Sequence, residues 1–97
     1  MPPPPEHLDG AKVLLWAALS GTRATGRTTH RIGGQVIGPA EALAICRYEG
    51  DSQFYLFYCD AEWRVRTDTC HPSLEVAKEQ AEFEYEGASG RWQSAAQ

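Results

Sequence analysis

The alternation of hydrophobic and polar positions is sharpest in the middle of the chain. Leu43-Ala44-Ile45-Cys46-Arg47-Tyr48 is strand-like, and Glu49-Gly50-Asp51-Ser52 has the chemistry of a turn. Phe54-Tyr55-Leu56-Phe57-Tyr58-Cys59 is apolar on both alternating faces, as a strand inside a sheet is. Trp63, Val65 and Thr67 then alternate with Arg64, Arg66 and Asp68, which fits a strand with one buried and one wet face. These segments predict a three-stranded antiparallel meander.

A helix is predicted next, from Pro72 or Ser73 to Tyr85 or Glu86, with Pro72 at the first helical position and Gly87 as the stop. At about 100° per residue, Leu74, Ala77, Ala81 and Tyr85 fall within about 80° of one another and form the stripe that covers the meander. Glu75, Glu79, Glu82 and Glu86 make a second stripe, beside a third of Val76 and Phe83 that points away from the core. Upstream, Ala11 to Leu19 is an apolar run whose length suits a strand or a short helix; the absence of a capping signal before it favours a strand. Thr22 to Gly38 is a polar excursion with room for a hairpin at Gly33-Gly34. The expected organisation is a flexible Pro-rich N-terminus over residues 1–10 and a single α+β domain over 11–97. Its core is expected to be a three- to four-stranded antiparallel sheet with one C-terminal helix packed on one face. Trp92 is expected to fold back on the sheet or helix.

Ninety-seven residues exclude large enzyme folds and allow one core. The formal charge of −4 is unevenly placed: residues 1–48 carry +2 and residues 49–97 carry −6. That balance disfavours general nucleic-acid binding, which needs clustered Lys and Arg, and favours a basic protein partner. Cys46, Cys59 and Cys70 are odd in number and widely spaced, so reduced, buried thiols and a cytoplasmic address are expected. The run Val13 to Leu19 is too short to cross a bilayer, and the prolines, Glu6 and Asp9 before it do not make a secretion leader.

The chemical motifs are weak. Gly21-Thr22-Arg23-Ala24-Thr25-Gly26-Arg27-Thr28 has phosphate-loop spacing with arginine in the lysine position, but Gly33-Gly34 would end any helix that followed. Cys59, Cys70 and His71, with Cys46, lack the paired spacing of a structural zinc site, so no metal or other cofactor is expected. Cys70 and His71 lack an orienting third group, so no catalytic residue is assigned and a non-enzymatic role is favoured.

The stretch from Phe54 to Asp60, with Trp63, Asp68-Thr69, His71, Ala77, Gln80 to Tyr85, Gly87 and Trp92, resembles a group of small single-domain bacterial proteins of unassigned function. The strand–strand–helix order is also similar to small immunity proteins that neutralise contact-delivered or secreted toxins, and more loosely to antitoxins of the HicB kind. The resemblance implies a bacterial, cytoplasmic protein. The leading expectation is therefore an immunity-like module that binds a basic protein through Glu75, Glu79, Glu82, Phe83 and Glu86. The alternatives are a HicB-like antitoxin and a small anion-binding protein or enzyme that uses Arg23, Arg27, His30 and Arg31. A homodimer through a meander edge or Phe83 is a further expectation.

Overall fold

The structure, a computed structural model, describes residues 1–95. It is α+β, with a mainly antiparallel sheet and a C-terminal helix. The main sheet runs in the order β1 (His7–Leu8), β2 (Ala11–Ala18), β6 (Ala42–Arg47), β7 (Phe54–Cys59), β8 (Val65–His71). The intervening short strands are β3 (Arg23–Ala24), β4 (Arg31–Ile32) and β5 (Gln35–Val36). After helix α1 (Leu74–Glu84) come β9 (Tyr85–Glu86) and β10 (Gln93–Ser94), the latter paired with β2.

The sheet is thus broader than the three or four strands expected. The meander β6-β7-β8 is present, and Ala11–Ala18 is a strand that joins it through β6. The extra members, β1 and β10, are two residues long, too short to carry a periodic signal. Bulges bend the sheet. In β2, Leu14 is the additional residue between the Val13↔Cys46 and Leu15↔Ile45 pairs, and in β8 the pairing shifts around Arg66. The sheet curls into a half-barrel.

Both faces of the sheet are packed. On one side Leu43, Ile45, Leu56 and Tyr58 meet Ala77, Ala81 and Tyr85 of the helix segment. The small side chains of Ala77 and Ala81, both fully buried, let the helix sit close to the sheet. On the other side Val13, Trp16, Ala44, Cys46, Phe57 and Cys59 pack together with Trp63. Trp63 precedes β8 with a positive φ of 63°, and its indole donates to the Pro2 carbonyl at 3.0 Å, tying the Pro-rich segment to this face. Trp92 packs against the helix-side core.

Helix α1 is shorter than its pattern suggested. Ser73 is the N-cap, accepting from the Val76 amide at 3.1 Å, so Pro72 lies before the cap rather than at the first helical position. At the other end Tyr85 and Glu86 leave the helix to pair with Ala24 and Arg23 of β3. The Tyr85 hydroxyl accepts from the Ala40 amide at 2.8 Å, an anchor the helical path would forfeit. In the excursion, β4 and β5 form a hairpin whose turn residues Gly33 and Gly34 both have positive φ, as a type I′ turn requires.

Candidate functional site

The helix face and the excursion meet at the C-terminal end of α1. The excursion supplies donors there: the Thr25 amide reaches the Glu84 carbonyl at 2.8 Å, and the Thr25 hydroxyl donates to the Phe83 carbonyl at 2.7 Å. These are carbonyls that a helix end leaves without intrahelical partners. Arg23 pairs with Glu86 at 2.9 Å, and the Arg27 guanidinium lies 5.3 Å from the Phe83 ring centre. Positive groups at this end also complement the helix dipole. Of the candidate anion-binding residues, Arg23, Arg27 and His30 are therefore brought together on the helix end. Arg31 is exposed on β4, outside that group.

The candidate partner-binding residues divide in the same way. Glu75 and Glu79 are exposed, and their carboxylates have no partner among the described residues. Phe83 is 46% exposed and Val76 36%, so an apolar pair lies beside those carboxylates. Glu82 is committed to the chain's own backbone: its carboxylate accepts from the Gly87 amide at 2.9 Å and the Ser89 amide at 2.8 Å. Those two bonds hold its carboxyl below the usual carboxylate range. Glu86 is held by Arg23.

Beneath the helix end lies a buried polar cluster centred on Glu84, whose side chain is 4% exposed. One carboxylate oxygen meets His30 Nε2 at 2.7 Å, and the other accepts from Tyr58 Oη and from Gln80 Nε2, the latter at 2.7 Å. His30 Nδ1 faces Thr67 Oγ1 at 2.8 Å, and its ring lies against that of Tyr58, 4.2 Å between centres. Thr69 Oγ1 continues the chain between Tyr58 Oη at 3.3 Å and His71 Nε2 at 2.7 Å. Burial, reinforced by the Glu84 hydrogen bond, pushes the Tyr58 hydroxyl well above the ordinary tyrosine range. Burial pulls the His71 imidazole below its ordinary value, against a smaller opposing pull from Glu84.

Glu84 belongs to none of the predicted helix stripes, although its position carries a signal. It stands seven residues after Ala77 and three after Ala81, on the face that those alanines bury. A carboxylate at a core position is held by partners, and here they come from the excursion, β7 and α1.

Both ring nitrogens of His30 are occupied, so the arrangement ties segments together rather than presenting a free base. The cavity next to His30, between Tyr58, Arg66 and Thr67, has about 40 Å³, room for water rather than for a substrate. An open groove of about 220 Å³ lies on its excursion side. The phosphate-loop-like segment contains β3, and no helix follows it directly.

The thiols differ from expectation in one respect. Cys46 and Cys59 are buried, and burial pushes each thiol up to about 12, whereas Cys70 is exposed, with its sulfur 3.8 Å from Gln53 Oε1. Cys70 and His71 are consecutive on β8 and point to opposite faces. Among the described residues no group of three or more His, Cys, Asp or Glu side chains is placed to hold a metal ion, and no helix is long and apolar enough to cross a membrane. No family model, curated protein or solved structure matches this chain.

Proposed function

We propose that the protein is a non-enzymatic binding module that takes a basic protein partner on the outer face of α1, as an immunity-like protein would. The observation that carries this reading is the exposed pair Val76 and Phe83 beside the unpaired carboxylates of Glu75 and Glu79. Aromatic and aliphatic groups supply affinity when they become buried, and the adjacent negative charge steers a cationic partner. The intramolecular contacts of Arg23 with Glu86 and of Arg27 with Phe83 support it further, since this face already receives cationic side chains at one end. Glu75, Glu79 and Phe83 form the working surface, while Glu82 and Glu86 contribute to its charge from internal contacts.

The test is the association rate of a probe peptide of alternating Lys and Leu, followed by stopped flow at low and high salt. Glu75→Lys with Glu79→Lys should slow association about tenfold at low salt and change it little at high salt. An association rate unchanged at low salt would remove the steering face from the account.

A further inference from the structure

Lys12 stands between two other basic side chains. Antiparallel pairing sets it directly opposite His7 on β1 and directly opposite Arg47 on β6. Directly paired residues share a face of the sheet, so the three form one cross-strand row. The next pair along, Val13 and Cys46, belongs to the core on the opposite face, which puts the row on the helix side of the sheet. Like charges in direct opposition are destabilising, and such a row calls for a counter-charge.

The protein supplies little of one. His7 has a carboxylate contact with Glu6 at 3.5 Å, while Lys12 and Arg47 have no carboxylate partner among the described residues. Arg47 is nevertheless held in place. Its Nε donates to the Asp51 carbonyl at 2.7 Å, and its guanidinium lies 5.2 Å from the Phe54 ring centre. That leaves the two terminal nitrogens unspent on a side chain already fixed from two directions. His7, Lys12, Leu14, Arg47 and Tyr48 border an open concavity of about 530 Å³.

We propose that this concavity, larger than one phosphate group fills and walled in part by Leu14 and Tyr48, binds a small organic phosphate, independently of the helix face. Arg47 presents a fork that matches two phosphate oxygens, Lys12 adds a compact positive charge, and His7 closes the third side. A phosphate dianion offsets two neighbouring fixed cations at once, which a single carboxylate does not. Glu49, also in the wall, opposes a long polyanion and so favours one phosphate group over a nucleic-acid backbone.

The experiment is a titration of the ¹⁵N-labelled full chain with inorganic phosphate and with glycerol phosphate at constant ionic strength, with sodium chloride as the control. Saturating shifts should be confined to the amides of His7, Lys12, Leu14 and Arg47 to Gly50, with glycerol phosphate the tighter ligand. Lys12→Gln, Arg47→Gln and Arg47→Lys should each weaken binding about fivefold or more, with changes in the free spectrum limited to the neighbours of the replaced side chain, Asp51 and Phe54 among them for Arg47. Absence of saturation by about 10 mM, equal shifts with chloride, or wild-type binding by the Lys12→Gln and Arg47→Gln variants would overturn the site. Equal affinity for the two phosphates would overturn its assignment to an organic phosphate.

Discussion

Glu84 Oε1 and His30 Nε2 lie 2.7 Å apart, with side chains 4% and 14% exposed, and this contact fastens the polar excursion to the last residue of the helix. The other carboxylate oxygen is held by Tyr58 and Gln80, so one buried group joins three parts of the chain. Removing it strands a tyrosine hydroxyl, an amide and an imidazole at once. Glu84→Ala should lower stability by about 3 kcal/mol, a large share of what a small domain has, read from chemical denaturation. Glu84→Gln, which keeps the shape and part of the hydrogen bonding, should lose less. Equal stability of Glu84→Ala and the wild type would refute the role of this cluster.

His30→Ala should act locally. Without the imidazole the excursion loses its ties to Glu84 and Thr67 but retains the Thr25 contacts, so its amides should exchange with solvent faster while those of β6 and β7 keep their protection. Hydrogen exchange read residue by residue distinguishes this from general destabilisation, in which all of these amides would speed up together.

His71 gives a pH dependence with a defined sign. Burial holds its folded-state value below the ordinary one, so the unfolded chain takes up a proton first as pH falls. The stability associated with its neutral form is complete above the ordinary histidine range and declines as pH drops below it toward the folded value. A stability profile from pH 7.5 to pH 5 should therefore fall, and His71→Asn should flatten part of that fall. An identical slope in the variant contradicts the assignment.

Glu79 and Glu82, neighbours on the same predicted stripe, should behave differently. Glu79 has no internal partner, so Glu79→Gln should leave the melting temperature nearly unchanged. Glu82 caps two amides beyond the helix, so Glu82→Ala should cost about 1 kcal/mol. Thermal melts of the two variants decide the point, and equal melting temperatures would count against the capping role.

The three cysteines predict a labelling pattern. With Cys46 and Cys59 pushed up to about 12 and buried, iodoacetamide at pH 8 should modify Cys70 alone in the folded protein, and all three after denaturation. Intact-mass spectrometry after brief labelling counts the adducts. Rapid double or triple labelling of folded protein would contradict the buried placement.

The meander and the helix were legible because Phe54 to Cys59 and Leu74 to Ala81 carry their periods over enough residues to be read. Gly33-Gly34 was legible as a turn because the positive φ it needs is a property of glycine itself. What escaped was set by distant parts of the chain. β1 and β10 exist because β2 offers them an edge, and Tyr85 leaves the helix for partners in β3 and at Ala40. Glu82 lies on the outward acidic stripe, but its carboxylate is drawn to amides five and seven residues later. Glu84 was legible in position, on the alanine face, and its partners His30 and Tyr58 were not, because they converge only after the excursion folds onto the sheet.

The central claim is that the open part of the helix face, Glu75, Val76, Glu79 and Phe83, is where a basic partner docks. Chemical-shift mapping of ¹⁵N-labelled protein with the Lys/Leu probe peptide tests it most directly. The account predicts shifts centred on Val76, Glu79 and Phe83 that Phe83→Ala and the double Glu75→Lys, Glu79→Lys variant each weaken. Shifts centred instead on other acidic positions such as Asp60 and Glu62, with residues 75–83 unmoved, would contradict it.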